Sequence, residues 1–253
     1  RINKMNIRLQ LTRLLLGGFL STCSTMINSA PADNTAATPG FLVNGFDQLF
    51  EQPVKAPTIS SLQSSGDAGK RFVEELSTIT PQDIQAAANN RSATATQLAG
   101  NFPEPNRANM EKIFNIALFV QKRIEQAARV PEGDIPTATA SFLYGIWSAY
   151  NEGAEIPEQN LLHLHNQVAQ LIASNQALSQ GLQNANQADR QKLYEYLAMT
   201  GNWMVMFQDT FKKGPDQKMV TNIKNMAREL LQASFKIDVE KLHISQEGQL
   251  SML

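Results

Sequence analysis

Cysteine is almost absent. Of 253 residues one is a cysteine, Cys23, and it lies near the amino end. Downstream of it the chain cannot build a disulfide framework, a thiolate nucleophile or a thiolate-bound zinc site. Histidine is scarce as well, with three copies. His163 and His165 are two residues apart, which on a helix turns them about 200° from each other, so they do not share a metal ion. Serine is plentiful, but no Gly-x-Ser-x-Gly elbow surrounds any of it. A phosphate loop and a dinucleotide fingerprint are also missing. The chain has no alternating apolar pattern long enough for a sheet, and no repeat period that would indicate a solenoid. These absences exclude the common enzyme signatures, and the expectation is a non-enzymatic protein without cofactor or metal.

An excess of positive charge is lacking too. The chain carries 22 Lys and Arg against 23 Asp and Glu. Four of the basic residues, Arg1, Lys4, Arg8 and Arg13, precede the first acidic residue, Asp33. Without those four, 18 basic residues face 23 acidic ones, a net charge of −5. That sign gives no footprint for nucleic acid and no polybasic segment for anionic lipid.

What is present begins with a leader. The frame opens on four residues before Met5, which reads as the start. Arg8 and Arg13 then precede a short apolar run, Leu14-Leu15-Leu16-Gly17-Gly18-Phe19-Leu20, and small residues end in Asn28-Ser29-Ala30-Pro31-Ala32. This is the layout of a secretory signal peptide, over residues 1–30. The run is far shorter than the roughly 20 residues of a membrane span. Two processing routes stay open. One is cleavage near Ala30. The other follows from Leu20-Ser21-Thr22-Cys23, which resembles a bacterial lipobox with Thr22 in place of the usual Gly, Ala or Ser, and would lipidate Cys23. The protein is therefore expected to be exported, to the periplasm or beyond, or anchored as a lipoprotein. Contact with a membrane is expected only through the leader or that lipid.

Residues 31–68 are rich in Ala, Thr, Ser and Pro and predict a flexible segment, with one apolar cluster at Phe41, Leu42, Phe46, Leu49 and Phe50. From residue 69 to residue 236 the apolar residues recur at spacings of three and four. Helices are predicted over 70–77, 81–88, 92–98, 106–129, 137–150, 158–176, 186–212 and 216–235. Thr80 before Pro81 is a start signal of N-cap and first-turn proline. Over 106–129 the stripe is Ile113, Ile116, Ala117, Val120, Ile124 and Ala127. The longest predicted helix, 186–212, carries Leu193, Leu197, Thr200, Met204, Phe207 and Phe211 and is expected at the centre. Amphipathic helices on short Pro/Gly connections bury their stripes only by packing together, so the fold class is all-α, a multi-helix bundle. Residues 237–253 read as a tail with one further turn, then fraying.

The stretches Val130-Pro131-Glu132-Gly133-Asp134-Ile135-Pro136-Thr137-Ala138, the aromatic helix Phe142-Leu143-Tyr144-Gly145-Ile146-Trp147, and Asp189-Arg190-Gln191-Lys192-Leu193-Tyr194-Glu195-Tyr196-Leu197 resemble a family of uncharacterised exported bacterial proteins, a domain of unknown function. The resemblance covers roughly residues 106–210. It implies an exported helical domain and brings no activity or catalytic residue.

Among candidate sites, the aromatic residues Tyr144, Trp147, Trp203 and Phe207 either line a pocket for a small apolar ligand or pack the core. Met199, Met204, Met206, Met219 and Met226 read as core fillers. His165 reads as a packing histidine and His163 as outward-facing. Glu152, Glu155 and Glu158 surround the Gly153–Pro157 turn and read as solvated charges at helix ends. Two functions follow as expectations: a component that binds another envelope protein, or a helical carrier or sensor of a small apolar molecule.

Overall fold

The computed structural model describes residues 65–252. The leader, Cys23 and the Phe41–Phe50 cluster lie outside the described residues. The fold is all-α, a multi-helix bundle closed by one short β-hairpin.

Local chemistry places most helix starts. α1 (Ser65–Leu76) leads to α2 (Pro81–Ala88), where Thr80 and Asp83 form a reciprocal capping box. Ser92 caps α3 (Ala93–Ala99). α4 (Glu104–Ala128) is the longest helix described, with 25 residues, and ends on Arg129 in the left-handed conformation. Asp134 caps α5 (Ile135–Tyr150), with Pro136 in its first turn. A 3-10 turn (Glu158–Asn160) precedes α6 (Leu161–Ser174), and Asn175 caps α7 (Gln176–Asn184). Asn186 caps α8 (Gln187–Val205), which is followed by α9 (Phe207–Lys212). Asp216 caps α10 (Gln217–Phe235). Each such cap satisfies orphan N–H groups of a first turn. No helix among the described residues is long and apolar enough to cross a membrane.

α5 is the centre of the bundle. Every residue from Thr137 to Ala149 is buried, so this helix is enclosed on all sides. The expectation that 186–212 would hold the centre is corrected, because the stripe over 137–150 is a helix apolar nearly all round rather than on one face. α8 crosses α5 at two glycines. A Cβ on Gly145 would lie 2.1 Å from the Gly201 carbonyl oxygen, and one on Gly201 would lie 2.5 Å from the Phe142 backbone. Only residues without a side chain let these backbones come so close.

The 186–212 element is also two helices. α8 stops at Val205, and Met206 N–H turns back to Trp203 O at 3.0 Å before α9 begins. α7 has no counterpart among the predicted helices. The tail differs most. Leu242–Ile244 (β1) and Leu250–Met252 (β2) pair antiparallel, with His243 opposite Ser251. Leu242, Ile244 and Leu250 are buried in the main core. The Gln167 side chain completes the ladder, its amide donating to Leu250 O at 2.9 Å and accepting from Leu250 N–H at 2.7 Å.

Candidate ligand-binding site

Residues of α1, α4, α5, α6 and α8 surround a cavity of about 100 Å³. Its walls are apolar. Phe72 and Leu76 come from α1, Ile79 from the following turn, Val120 and Ile124 from α4, Leu161 from α6 and Val205 from α8. The 3.6-residue period of α4 explains the contribution of Val120 and Ile124. The buried ridge of that helix runs Ile113, Ala117, Gln121, Glu125, at intervals of four. Val120 and Ile124 sit beside this ridge and are only half-buried. The predicted stripe is therefore right in its first half and rotated in its second.

Polar groups enter the apolar wall at few points. Tyr144 and Asn202 are bonded elsewhere: Gln208 Nε2 donates to Tyr144 Oη at 3.0 Å, and Asn202 Nδ2 donates to Gln121 Oε1 at 3.0 Å and Ala198 O at 2.9 Å. Ser141 Oγ and His165 Nδ1 are buried and have no hydrogen-bond partner. Burial alone pushes the His165 imidazole down to about 4, so it is neutral near pH 7. Its ring meets Phe72 edge to face, with centroids 6.2 Å apart. An apolar cavity with a few converging polar groups is the usual form of a small-molecule site.

The four predicted aromatic residues divide between this cavity and the core. Tyr144 lines the cavity, and Trp147 stacks on Tyr144 at 6.2 Å. Trp203 and Phe207 belong to a core cluster, with Trp203 5.5 Å from both Phe114 and Phe207 and 5.7 Å from Phe102. His165 is fully enclosed. His163 does not simply face outward, because its Nδ1 lies 3.0 Å from Glu247 O of the hairpin turn. Glu152 pairs with Lys224 at 3.1 Å and Glu155 with Lys212 at 2.7 Å, surface contacts that carry little energy. Among the described residues no three His, Cys, Asp or Glu side chains are grouped to hold a metal ion.

A buried network around Glu125 is absent from the sequence-based candidates. Glu125 Oε2 accepts from Gly133 N–H and from Tyr194 Oη, each at 3.1 Å, and Gln121 Nε2 donates to Oε1 at 3.4 Å. Burial raises the Glu125 pKa, these three donors lower it in part, and the charge of Asp134 raises it further. The Tyr194 hydroxyl is pushed far up, first by burial and then by the adjacent Glu125. The ridge Ile113–Ala117–Gln121–Glu125 was the available signal: continuing an apolar i, i+4 row leads directly to both polar residues.

Gly133 and Tyr194 belong to two of the three stretches quoted above for the family resemblance, so Glu125 ties those two together. The model of one family matches residues 44–253. The chain belongs to the Family of unknown function (DUF6683). The DUF6683 match extends well beyond residues 106–210 and takes in α1 to α3 and the hairpin. No curated protein matches the chain, and no solved structure does. A second, more polar cleft of about 410 Å³ borders the same two stretches in this DUF6683 domain, with Glu132, Asp134, Gln183, Arg190 and Gln191 in its lining.

Proposed function

We propose that this chain is an exported, non-enzymatic binding protein that takes a small apolar molecule into the cavity beside His165. The observation that carries the reading is the cavity itself, apolar on most of its wall, with an unpartnered buried polar atom on each of two residues that line it, Ser141 and His165. Close-packed interiors leave few voids larger than a water molecule, and buried polar atoms are nearly always bonded. A place that departs from both rules is a natural binding site. The export half of the proposal rests on the leader sequence at residues 1–30. The non-enzymatic half rests on the lack of a nucleophile–base pair in the sequence motifs.

Xenon, smaller than the benzene that fills a dry cavity of about 150 Å³, tests a cavity of about 100 Å³ with the least chemistry. An apolar ligand at one hundred times its Kd stabilises a folded protein by about 2.7 kcal/mol, which a melting experiment resolves. A rise in the melting midpoint of the full chain under xenon pressure is expected, and a pressurised crystal with no xenon in the cavity would remove the reading. Cell fractionation tests the address: protein retained in the cytoplasm with its leader attached would refute export.

A second reading is supported by the polar cleft. There a partner protein of the envelope would meet Glu132, Asp134 and Arg190. Cross-linking in intact cells should capture one partner with the parent chain and lose it with Arg190→Glu.

A further inference from the structure

We infer that Glu125, Gln121 and Asn202 form a relay, set by one proton on Glu125, that couples the loop bounding the polar cleft to the lining of the apolar cavity. The relay stands whether or not either concavity takes a ligand.

Each end of the relay reaches one of the two concavities. Gly133 borders the cleft and donates its main-chain N–H to Glu125 Oε2 at 3.1 Å. Val130 N–H, at the start of the same loop, donates to the Glu125 carbonyl oxygen at 3.1 Å. Glu125 thus fastens both ends of the loop 130–133. At the other end Asn202 lines the cavity, and its Nδ2 donates to Gln121 Oε1 at 3.0 Å. Gln121 Nε2 donates in turn to Glu125 Oε1 at 3.4 Å. Gln121 and Glu125 are four residues apart on α4, on one face of the helix. All three side chains are buried, so a bond lost from one is costly.

The bonds all point one way, and both ends fix that direction. Asn202 Nδ2 also donates to Ala198 O at 2.9 Å, and a main-chain carbonyl only accepts. Asn202 is therefore the donor, and Gln121 presents its oxygen to Asn202 and its nitrogen to Glu125. Glu125 accepts from Gln121, Gly133 and Tyr194 and donates to none of them, the pattern of an ionised carboxylate.

A proton reverses the order. Glu125 Oε2 already accepts two bonds at 3.1 Å, whereas Oε1 accepts a single one at 3.4 Å and is the atom open to protonation. The new O–H needs an acceptor where Gln121 Nε2 stands. Gln121 supplies one by turning its amide over, which brings Nε2 against Asn202 Nδ2. Two donors do not bond, so Asn202 gives up Gln121 or Ala198 O. Burial and the charge of Asp134 favour the proton on Glu125, and its three donors oppose it. The other titratable groups around Glu125 and Tyr194 are Glu195 and Glu132, the latter paired with Lys122 at 2.6 Å. Tyr194 keeps its own proton, because its hydroxyl pKa is pushed far up.

NMR of the full chain tests the relay through the main-chain amide of Gly133 and the side-chain amides of Gln121 and Asn202. All three signals are expected to move together, with one midpoint above the ordinary carboxylate value of 4.5. Glu125→Gln, which has no carboxyl proton to lose, should abolish that midpoint at Asn202. Gln121→Met removes the middle of the relay, so Gly133 should still titrate while Asn202 falls silent. Melting curves report whether the variants fold, and the parent decides the matter if they do not. A Gly133 titration across which Asn202 stays fixed would overturn the coupling. Absence of any midpoint above 4.5 would overturn the proton as its control. An Asn202 titration that survives in folded Glu125→Gln would assign the movement to another group, His165 among them, and overturn the relay.

Discussion

Glu125 and His165 are ionisable residues of comparable burial on neighbouring parts of the bundle, yet their surroundings differ in kind. Around Glu125, the main-chain N–H of Gly133, the Tyr194 hydroxyl and the Gln121 amide all donate to the carboxylate, and Gln121 in turn accepts from Asn202. Around His165, Nδ1 is unbonded, as is Ser141 Oγ in the same cavity lining, and most of the remaining wall is apolar. A closed network specifies a structure, because each member is costly to remove once the others depend on it. An open pair specifies little about the fold. On the function proposed above, its unmet bonding capacity is available to a bound molecule. The lesson is that burial alone does not mark function; the balance of donors and acceptors does.

The largest effect should come from breaking the closed side. Glu125→Ala would strand three buried donors, and at about 1–3 kcal/mol for each unsatisfied group, less than additively, a loss of about 3–5 kcal/mol is expected. Urea unfolding measures it. Tyr194→Phe should lose less, about 1–2 kcal/mol, and the double variant should fall short of the sum because the two share one bond. A loss under about 1 kcal/mol for Glu125→Ala would end the distinction between the two regions.

The next effect is in pH. The native His165 imidazole resists protonation down to about 4, whereas the unfolded chain takes a proton near 6.5. Between those values the unfolded state binds more protons, so stability falls as the pH drops below 6.5, by about 3 kcal/mol at pH 4. Glu125 has the opposite sign. Its raised native pKa gives stability that is fully present below about 4.5 and is lost as pH rises through the native value. Glu158 and Tyr144 are the other titratable residues in the cavity wall and must be kept in place during the comparison. Melting curves at pH 4 to 7 for the parent and His165→Leu separate the two contributions. An equal slope in both proteins would show that His165 does not sense the interior.

The smallest effect is the most discriminating. Ser141→Ala removes an unbonded hydroxyl from a buried helix and improves helix propensity, so in the absence of ligand the variant should gain about 0.5–1 kcal/mol. Thermal unfolding of the empty protein reads it. A loss instead would mean that the hydroxyl has a partner in the native state. A protein that gives up stability at one place in this way commonly does so for binding.

Much of the fold was legible in the sequence because local rules decide it. Thr80 with Pro81, and the three-four spacing of Ile113, Ile116 and Ala117, depend on neighbours within one or two turns. The parts that were not legible depend on distant residues. Glu125 meets Tyr194 across 69 positions, and no window of sequence contains both. Gln176–Asn184 carries too few apolar residues to show a stripe, yet Leu178 anchors it in the core. Strands of three residues are too short to alternate visibly, and the hairpin exists because the Gln167 amide holds Leu250 of β2 while Leu242 and Ile244 of β1 are buried. Of the site, Tyr144 and His165 stood out as residue types. The cavity itself is a property of how residues from five helices meet, and periodicity does not encode it.

The hairpin has a consequence for synthesis. Its three buried side chains and its bonds to Gln167 close a core whose other walls are made many residues earlier, and Gly248 fits against Asn160 O so closely that a Cβ there would lie 2.2 Å away. During translation the helices can form and begin to collapse, but the last gap cannot be sealed until residues 242–252 emerge. A copy that stops short of them would present an open apolar seam beside α6, a surface that chaperones and proteases recognise. The hairpin thus makes burial of the core beside α6 conditional on the presence of residues 242–252.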